Sequence, residues 1–281
     1  MDHQDFEYIR TLVRSKCGIS LEEHKKYLVE SRLETVVRNA GLNSIRELIA
    51  QIRFKQDKQL IAAVLEEMTT NETFFFRDVK PFDLLKKDLL PQLIEERALS
   101  KSIRIWCAAC SSGQEPYSIA MLIHEAFPQL HDWDIQLIAT DLSDSILEKA
   151  QKGVYSDFEM NRGLPQRLKK YFTRTPQGSW KVNDEIRNYI SFYSNNLVGH
   201  WNPQIVTADI VFMRNVLIYF ENHVKSKILT KVRQILKPDG FLILGQSETV
   251  NGLDSPFSQS NYYAASCYQL THAMSGHNVR P

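Results

Sequence analysis

Two rhythms of apolar residues divide the chain. Through residues 1–70 the spacing is helical: Ile45, Leu48, Ile49 and Ile52 recur at i, i+3, i+4 and i+7, and so do Ile61, Val64, Leu65 and Met68. Each set lays an apolar stripe along one helix face. Ser20 with Glu23, and Ser44 with Glu47, have the spacing of a capping box, in which a serine side chain meets an orphan amide at a helix start. Gly18 and Gly41 stand where the preceding helices should stop. A small all-helical N-terminal domain is predicted.

From about residue 80 the rhythm changes. Residues 103–106, 135–139, 210–213 and 241–244 read as short apolar strands, and residues 116–126, 143–151 and 222–236 as helices between them. That alternation predicts an α/β domain with a parallel sheet and helices on its faces. Residues 180–182 and 189–193 break the alternation around a turn at 176–179, and read as a small antiparallel β insertion at about 171–194. The expected organisation is a helical domain at 1–70, a linker at 71–80, the α/β domain at 81–272 and a flexible tail at 273–281. Ligands of such sheets lie beyond the carboxyl ends of the strands, which points to residues 107–115, 140–144, 195–197 and 214–219.

Composition narrows the classes. Of the 281 residues, 43% are hydrophobic, and 34 Lys+Arg stand against 33 Asp+Glu. This is a globular composition, not a disordered one, and its near-zero net charge excludes a general nucleic-acid binder. The longest apolar run, 210–220, is broken by Arg214 and Asn215 and is too short to span a membrane. The opening Met-Asp-His-Gln-Asp lacks the order of a secretory signal. A cytoplasmic protein with no direct membrane insertion is expected. Cys107 and Cys110 form a C-x-x-C, but no second ligand pair follows. They read as small residues of a tight strand-to-helix turn, and no metal is expected.

That turn, residues 107–116, contains only Gly113 and not the G-x-G-x-x-G that seats a pyrophosphate. Glu115 stands near the helix start, where it would repel a pyrophosphate and could bind an ammonium. The turn disfavours NAD and ATP and favours S-adenosylmethionine. Asp141 ends the second strand; an acid there suits ribose hydroxyls or a helix N-cap.

Several ordered blocks then make the chain recognisable: 68–77 (Met-Thr-Thr-Asn-Glu-Thr-Phe-Phe-Phe-Arg), 111–118 (Ser-Ser-Gly-Gln-Glu-Pro-Tyr-Ser), 139–143 (Ala-Thr-Asp-Leu-Ser), 214–220 (Arg-Asn-Val-Leu-Ile-Tyr-Phe), 236–240 (Leu-Lys-Pro-Asp-Gly) and 246–248 (Gln-Ser-Glu). The chain resembles the chemotaxis-receptor glutamate O-methyltransferases, the CheR family, over nearly its whole length. The resemblance implies a Rossmann-like class I methyltransferase domain behind the helical domain, with S-adenosylmethionine as cofactor and S-adenosylhomocysteine as product. It implies that Asn71, Thr73 and Arg77 fold over the cofactor. Glu115 and Asp141 would contact its methionine and ribose portions, Asn196 and Leu197 its adenine, and Arg214 and Asn215 would lie beside it at a strand end. Arg77 and Tyr219 would flank the methyl-transfer point. Each has a local alternative: Asn71 a helix C-cap, Leu197 core packing, Tyr219 an aromatic on a buried helix face.

The partners so implied are the cytoplasmic helices of membrane chemoreceptors, with the enzyme acting as a monomer. Between residues 24 and 58, eight basic side chains (Lys25, Lys26, Arg32, Arg38, Arg46, Arg53, Lys55, Lys58) stand against four acids. Such a run is a solvated face or, by the resemblance, a docking surface with Lys25, Arg32 and Arg38 as contacts. Gln114 and Met213 depart from the family's usual acid and cysteine. The loop at 174–180 is short, which resembles members that need no receptor peptide tether. A non-catalytic S-adenosylmethionine-binding module and a methyltransferase with another acceptor remain the alternative readings.

Overall fold

The computed structural model describes residues 1–262 and 265–271; the tail expected at 273–281 lies outside them. Helices α1 (His3–Cys17), α2 (Lys26–Asn39), α3 (Ile45–Lys55) and α4 (Lys58–Met68) form the first unit. Their stripes meet in one core containing Phe6, Ile9, Val13, Leu33, Leu48, Ile52 and Val64. Asp2, Ser44 and Asp57 cap three of the four N-termini through their side chains. The box at Ser44 is offset: Glu47 reaches back to the Asn43 amide, one residue before the cap, at 2.9 Å.

Ser20 caps nothing. A 3₁₀ turn at Glu23–Lys25 precedes α2, and the Ser20 amide donates instead to Tyr219 O at 3.0 Å. Neighbouring Ile19 forms a β-bridge with Phe220. A long-range backbone pairing has overridden a local capping motif.

The second unit begins with α5 (Lys80–Leu84), which runs through a π turn (Leu85–Leu89) into α6 (Leu90–Glu96). There follow β1 (Ser102–Ala108), α7 (Gln114–Ala126), β2 (Asp134–Asp141), α8 (Asp144–Lys152), β3 (Val154–Tyr155), α9 (Asp157–Asn161), β4 (Phe172–Arg174) and β5 (Trp180–Val182). The chain continues through α10 (Asp184–Arg187), β6 (Ile190–Ser194), β7 (Ala208–Met213), α11 (Asn222–Ile235), β8 (Leu236–Leu244), β9 (Phe257–Gln259) and β10 (Cys267–Leu270). Seven strands make one sheet in the order β6-β2-β1-β7-β8-β10-β9, parallel from β6 to β8 and antiparallel beyond. Side chains alternate across it, as the pleat requires. Ile105 and Cys107 join the core under α7, while Trp106 and Ala108 join the core under α11. From β1 the chain winds outward in both directions, which opens a crevice between the ends of β1 and β7.

The antiparallel insertion is present but differently composed. It is the small sheet β3-β5-β4, whereas residues 190–194 form an edge strand of the main sheet, parallel to β2, with Ser194 opposite Asp141. The alternating burial of an edge strand has the same period as a hairpin strand, so periodicity could not separate the two. The block Leu236-Lys-Pro-Asp-Gly240 belongs to β8 and pairs irregularly with the start of β7.

The amino ends of the central strands are tied by an ionic knot. Asp209 is fully buried; it accepts from Arg97 Nε, Lys237 Nζ and the Arg104 amide, each at 2.8 Å, while Arg97 also grips Asp239. The knot joins α6, β1, β7 and β8 at the end of the sheet opposite the crevice.

Candidate functional site

At the carboxyl ends of the strands lies a cleft of about 910 Å³. All ten residues expected at the cofactor or methyl-transfer point line it: Asn71, Thr73, Arg77, Glu115, Asp141, Asn196, Leu197, Arg214, Asn215 and Tyr219. They come from five separate stretches of chain. Cys17 and Ile19 of the helical unit complete one wall.

The turn after β1 brings backbone close to this space. Ala109, Ser111 and Gly113 all have positive φ, and a Cβ at Gly113 would meet Ala150 Cβ at 3.0 Å and Tyr155 Oη at 3.2 Å. Only glycine fits there. Gln114, where the family commonly has an acid, is buried and accepts from Ser112 Oγ at 2.8 Å. Cys107 and Cys110 are buried, and burial pushes both thiols well up. They pack the turn as unreactive thiols.

Glu115, in the first turn of α7, is paired in this state. Its Oε2 accepts from Arg214 Nη1 at 2.7 Å, and Arg214 Nη2 donates to Arg77 O at 2.7 Å and Asp78 Oδ2 at 2.8 Å. Arg214 therefore bridges the start of α7 to the linker, and its buried Nε has no partner among the described residues. Glu115 Oε1 is left for a ligand. Burial raises the Glu115 carboxyl above the ordinary 4.5, with Arg214 opposing the shift. Ionising it costs the fold: its contribution is present below the ordinary value and lost as pH rises through the raised one. The ionised form is the one that pairs with an ammonium. Affinity for S-adenosylhomocysteine should therefore fall as pH drops from about 8 to about 5, starting sooner than an exposed glutamate would dictate. Calorimetry across that range checks this; constant affinity would remove Glu115 as the ammonium partner.

Asp141 lines the cleft but does not cap α8. Oδ1 accepts from the Ser143 amide at 3.1 Å and Oδ2 from the Ser111 amide at 2.8 Å, while Ser143 itself caps α8. Burial raises its carboxyl too, opposed by those amides. Each oxygen keeps a lone pair for a hydroxyl donor.

The linker is held from both sides. Ser111 Oγ donates to Asn71 O at 2.9 Å, and the Phe76 amide donates to Ser118 Oγ at 3.0 Å. Arg77 Nη1 donates to Glu72 O at 2.7 Å, and its guanidinium lies 5.6 Å from the Phe74 ring. Phe76, Asp78 and Val79 all have positive φ, a strained run for residues with a Cβ; Arg214 clamps its middle.

Asn196 Nδ2 donates to Lys16 O at 2.7 Å, so the loop after β6 is tied to α1. Leu197 is buried and its carbonyl accepts from Trp201 Nε1 at 2.9 Å. Lys231 Nζ closes the same loop onto Gly199 O at 2.6 Å. Asn215 and Tyr219 lie on a loop organised by buried Glu248, whose carboxylate accepts from the amides of Asn215, Val216, Ile218 and Gly245 at 2.6–3.2 Å. Glu248 was visible within the Gln-Ser-Glu block, yet nothing in the sequence says that it holds the 215–218 turn. Lys231 left no signal at all.

The docking trio lies apart from the cleft lining. Lys25 is exposed and pairs with Glu22 at 2.8 Å, and Arg38 is exposed. Arg32 is half-buried; it donates to Thr69 O at 3.2 Å and Thr70 Oγ1 at 3.1 Å, bracing the linker.

The acceptors and walls fit S-adenosylmethionine: an acid at a helix start, an acid at the next strand end, and an apolar side formed by Ile19, Leu142, Leu197 and Phe220. A parallel sheet whose winding diverges at β1, with acids at two strand ends, defines a class that binds nucleoside cofactors. Among the described residues, no group of three or more His, Cys, Asp or Glu could hold a metal ion, and no helix is long and apolar enough to cross a membrane.

Comparison with known proteins makes the class specific. The model of the CheR methyltransferase SAM-binding domain matches residues 71–265, and that of the CheR methyltransferase all-alpha domain matches residues 4–69. The chain is 44% identical over 254 residues to chemotaxis protein methyltransferase 1 of Pseudomonas aeruginosa, covering 89% of this chain and 91% of that one. It is 41% identical over 270 residues to chemotaxis protein methyltransferase Cher2 of Pseudomonas putida (94% and 97%) and 34% identical over 245 residues to the chemotaxis protein methyltransferase of Borreliella burgdorferi (86% and 86%). The chain belongs to the CheR methyltransferase family.

Proposed function

We propose that this protein transfers the methyl group of S-adenosylmethionine to glutamate side chains in the cytoplasmic helices of chemoreceptors, leaving glutamyl methyl esters and S-adenosylhomocysteine. The observation that carries the reading is the Glu115–Arg214–Asp78 chain, which joins the cofactor turn to the linker bearing Arg77 at one cleft.

The bound cofactor supplies an electrophilic methyl on a sulfonium. A receptor glutamate, with a reference pKa near 4.3, is already an ionised nucleophile at neutral pH, so the chain needs no general base. Its residues orient and desolvate. Glu115 and Asp141 hold the two ends of the cofactor, and the linker covers it. Arg77 and Tyr219 steer the acceptor oxygen into line, a step that supplies several kcal/mol in well-placed reactants. Opposite charges vanish during transfer, so excluding water favours the step. Arg77 donates to no acid, which leaves it free for a modest contact with the acceptor.

The test is labelled methyl transfer to receptor-containing membranes, scored as alkali-labile methanol. A glutamyl ester releases it; an N-methyl group does not. No labile label across a broad receptor panel would favour another acceptor or a non-catalytic binding module.

Docking on receptor helices uses the basic face of the helical unit. Raising salt should weaken receptor binding and leave affinity for S-adenosylhomocysteine nearly unchanged. Lys25→Ala and Arg38→Ala should lower receptor affinity alone, whereas Arg32→Ala should also disturb the linker. Salt-insensitive binding in a pull-down series would reject the surface. The reading also includes independence from a peptide tether: the β4–β5 loop spans only 175–179 and closes on itself, Ser179 N donating to Thr175 Oγ1 at 3.1 Å.

A further inference from the structure

We infer that Arg162 is a positioning residue for an anionic acceptor: it holds the Glu72 carboxylate at the rim of the cleft and so leaves Arg77 free for the incoming substrate. The inference rests on the reading that the acceptor is a glutamate side chain.

Among the described residues, three acids line the cleft: Glu72, Glu115 and Asp141. Glu115 is paired with Arg214, and Asp141 accepts from two amides. Glu72 stands on the linker five residues before Arg77, and its carbonyl accepts from Arg77 Nη1 at 2.7 Å. Its side chain is 56% exposed, so the carboxylate can turn to more than one cation. It turns to Arg162, whose Nη2 donates to Glu72 Oε1. That hydrogen bond and the Arg162 charge hold the Glu72 carboxyl below its ordinary value, and the Arg77 charge adds to them. The carboxylate is therefore ionised at neutral pH and lies in the field of both cations.

Arg162 is built into its place. It follows α9, whose capping box joins Ser156 to Glu159 and whose Glu159 also accepts from Lys149 at 2.6 Å. The next residue, Gly163, has φ 89, and a Cβ there would fall on Phe75 O, so this segment lies against the linker backbone. The Arg162 guanidinium is 4.6 Å from the centroid of the Phe74 ring, and that of Arg77 is 5.6 Å from the same centroid. The two cations share one ring and one residue: Arg162 takes the side chain of Glu72, and Arg77 takes its carbonyl.

A pair this exposed contributes little to stability. Its consequence is electrostatic. With Arg162 present, an acceptor carboxylate approaching Arg77 meets a neutral pair beside it. Without Arg162, the Glu72 charge competes for the donors of Arg77 and repels a second anion.

The experiment compares wild type, Arg162→Ala, Glu72→Gln and the double variant in labelled methyl transfer to receptor-containing membranes at saturating S-adenosylmethionine, scored as alkali-labile methanol. Arg162→Ala should lower kcat/KM for the receptor by about 5- to 10-fold, the scale of one charge a few ångströms away in a solvated site. Its affinity for S-adenosylhomocysteine, measured by calorimetry, should stay near that of wild type and shows that the cleft is folded. Adding Glu72→Gln to Arg162→Ala should recover most of the lost rate, and Glu72→Gln alone should lose less than Arg162→Ala. The contact with Phe74 is missing from both Arg162→Ala and the double variant, so recovery cannot come from it. A mere brace behaves otherwise: either substitution breaks the pair, and all three variants fall alike. That result overturns the assignment, as does Arg162→Ala at the wild-type rate or with cofactor affinity lost in step with rate. Wild type that yields no labile methanol overturns the glutamate reading itself.

Discussion

Arg77→Ala lowers methyl transfer at saturating cofactor by about a hundredfold or more, the scale on which misplaced reactants lose rate. Tyr219→Phe stays within about tenfold of wild type, the scale of one hydrogen bond. The difference follows from how each group is held. Arg77 sits on the linker, with one hydrogen bond to Glu72 O and its guanidinium beside Phe74. Its own carbonyl is fixed by Arg214, so the side chain leaves a stationary point with most of its donors unspent. Alanine removes the only cation on the linker that lines the cleft. The Tyr219 ring instead stands on a 3₁₀ turn at the end of the loop held by Glu248, and phenylalanine keeps that ring in place. Initial rates with labelled methyl groups on receptor membranes give both numbers. Arg77→Ala at wild-type rate would end its assignment to the transfer step.

Asp209→Ala destabilises the fold by about 3–5 kcal/mol, as does breaking other buried charge pairs. The carboxylate has no exposed surface and satisfies two cations and one amide; its loss leaves Arg97 hydrogen-bonded to Asp239 alone and takes the acceptor from Lys237 and from the Arg104 amide. Denaturant melts of the ligand-free protein measure the change. Because the knot is at the opposite end of the sheet from the cleft, affinity for S-adenosylhomocysteine below the transition should be retained. A loss under about 1 kcal/mol would mean that the remaining partners rearrange without cost.

These two sites mark the limits of what the sequence discloses. Eight of the ten cleft residues were legible because they belong to short local blocks, at 68–77, 111–118, 139–143 and 214–220, and the alternation of strands and helices says where the strand ends gather. Arg97 and Asp209 belong to no block, and the block holding Lys237 does not name its partner; the three meet only because β7 lies between β1 and β8. Residues 189–193 were assigned to the wrong sheet for the same reason, since the period of a strand does not name its neighbour. Arg32 was read as a docking contact within a basic run, and only the fold turns it onto Thr69 and Thr70. Ser20 matched a capping motif that the pairing of Ile19 with Phe220 displaced.

The junction at Gly18 reaches further than its own turn. The residue ends α1 at φ 75, and a Cβ there would lie 2.6 Å from Val198 Cγ1. Lys16 and Ser20 on either side bond to Asn196 and Tyr219. The two units are dovetailed at one wall of the cleft, so exchanging helical domains among relatives is not a matter of cutting at the linker. A working chimera must carry residues 16–20, 196–198 and 219–220 as one inherited block, whichever parent supplies the rest.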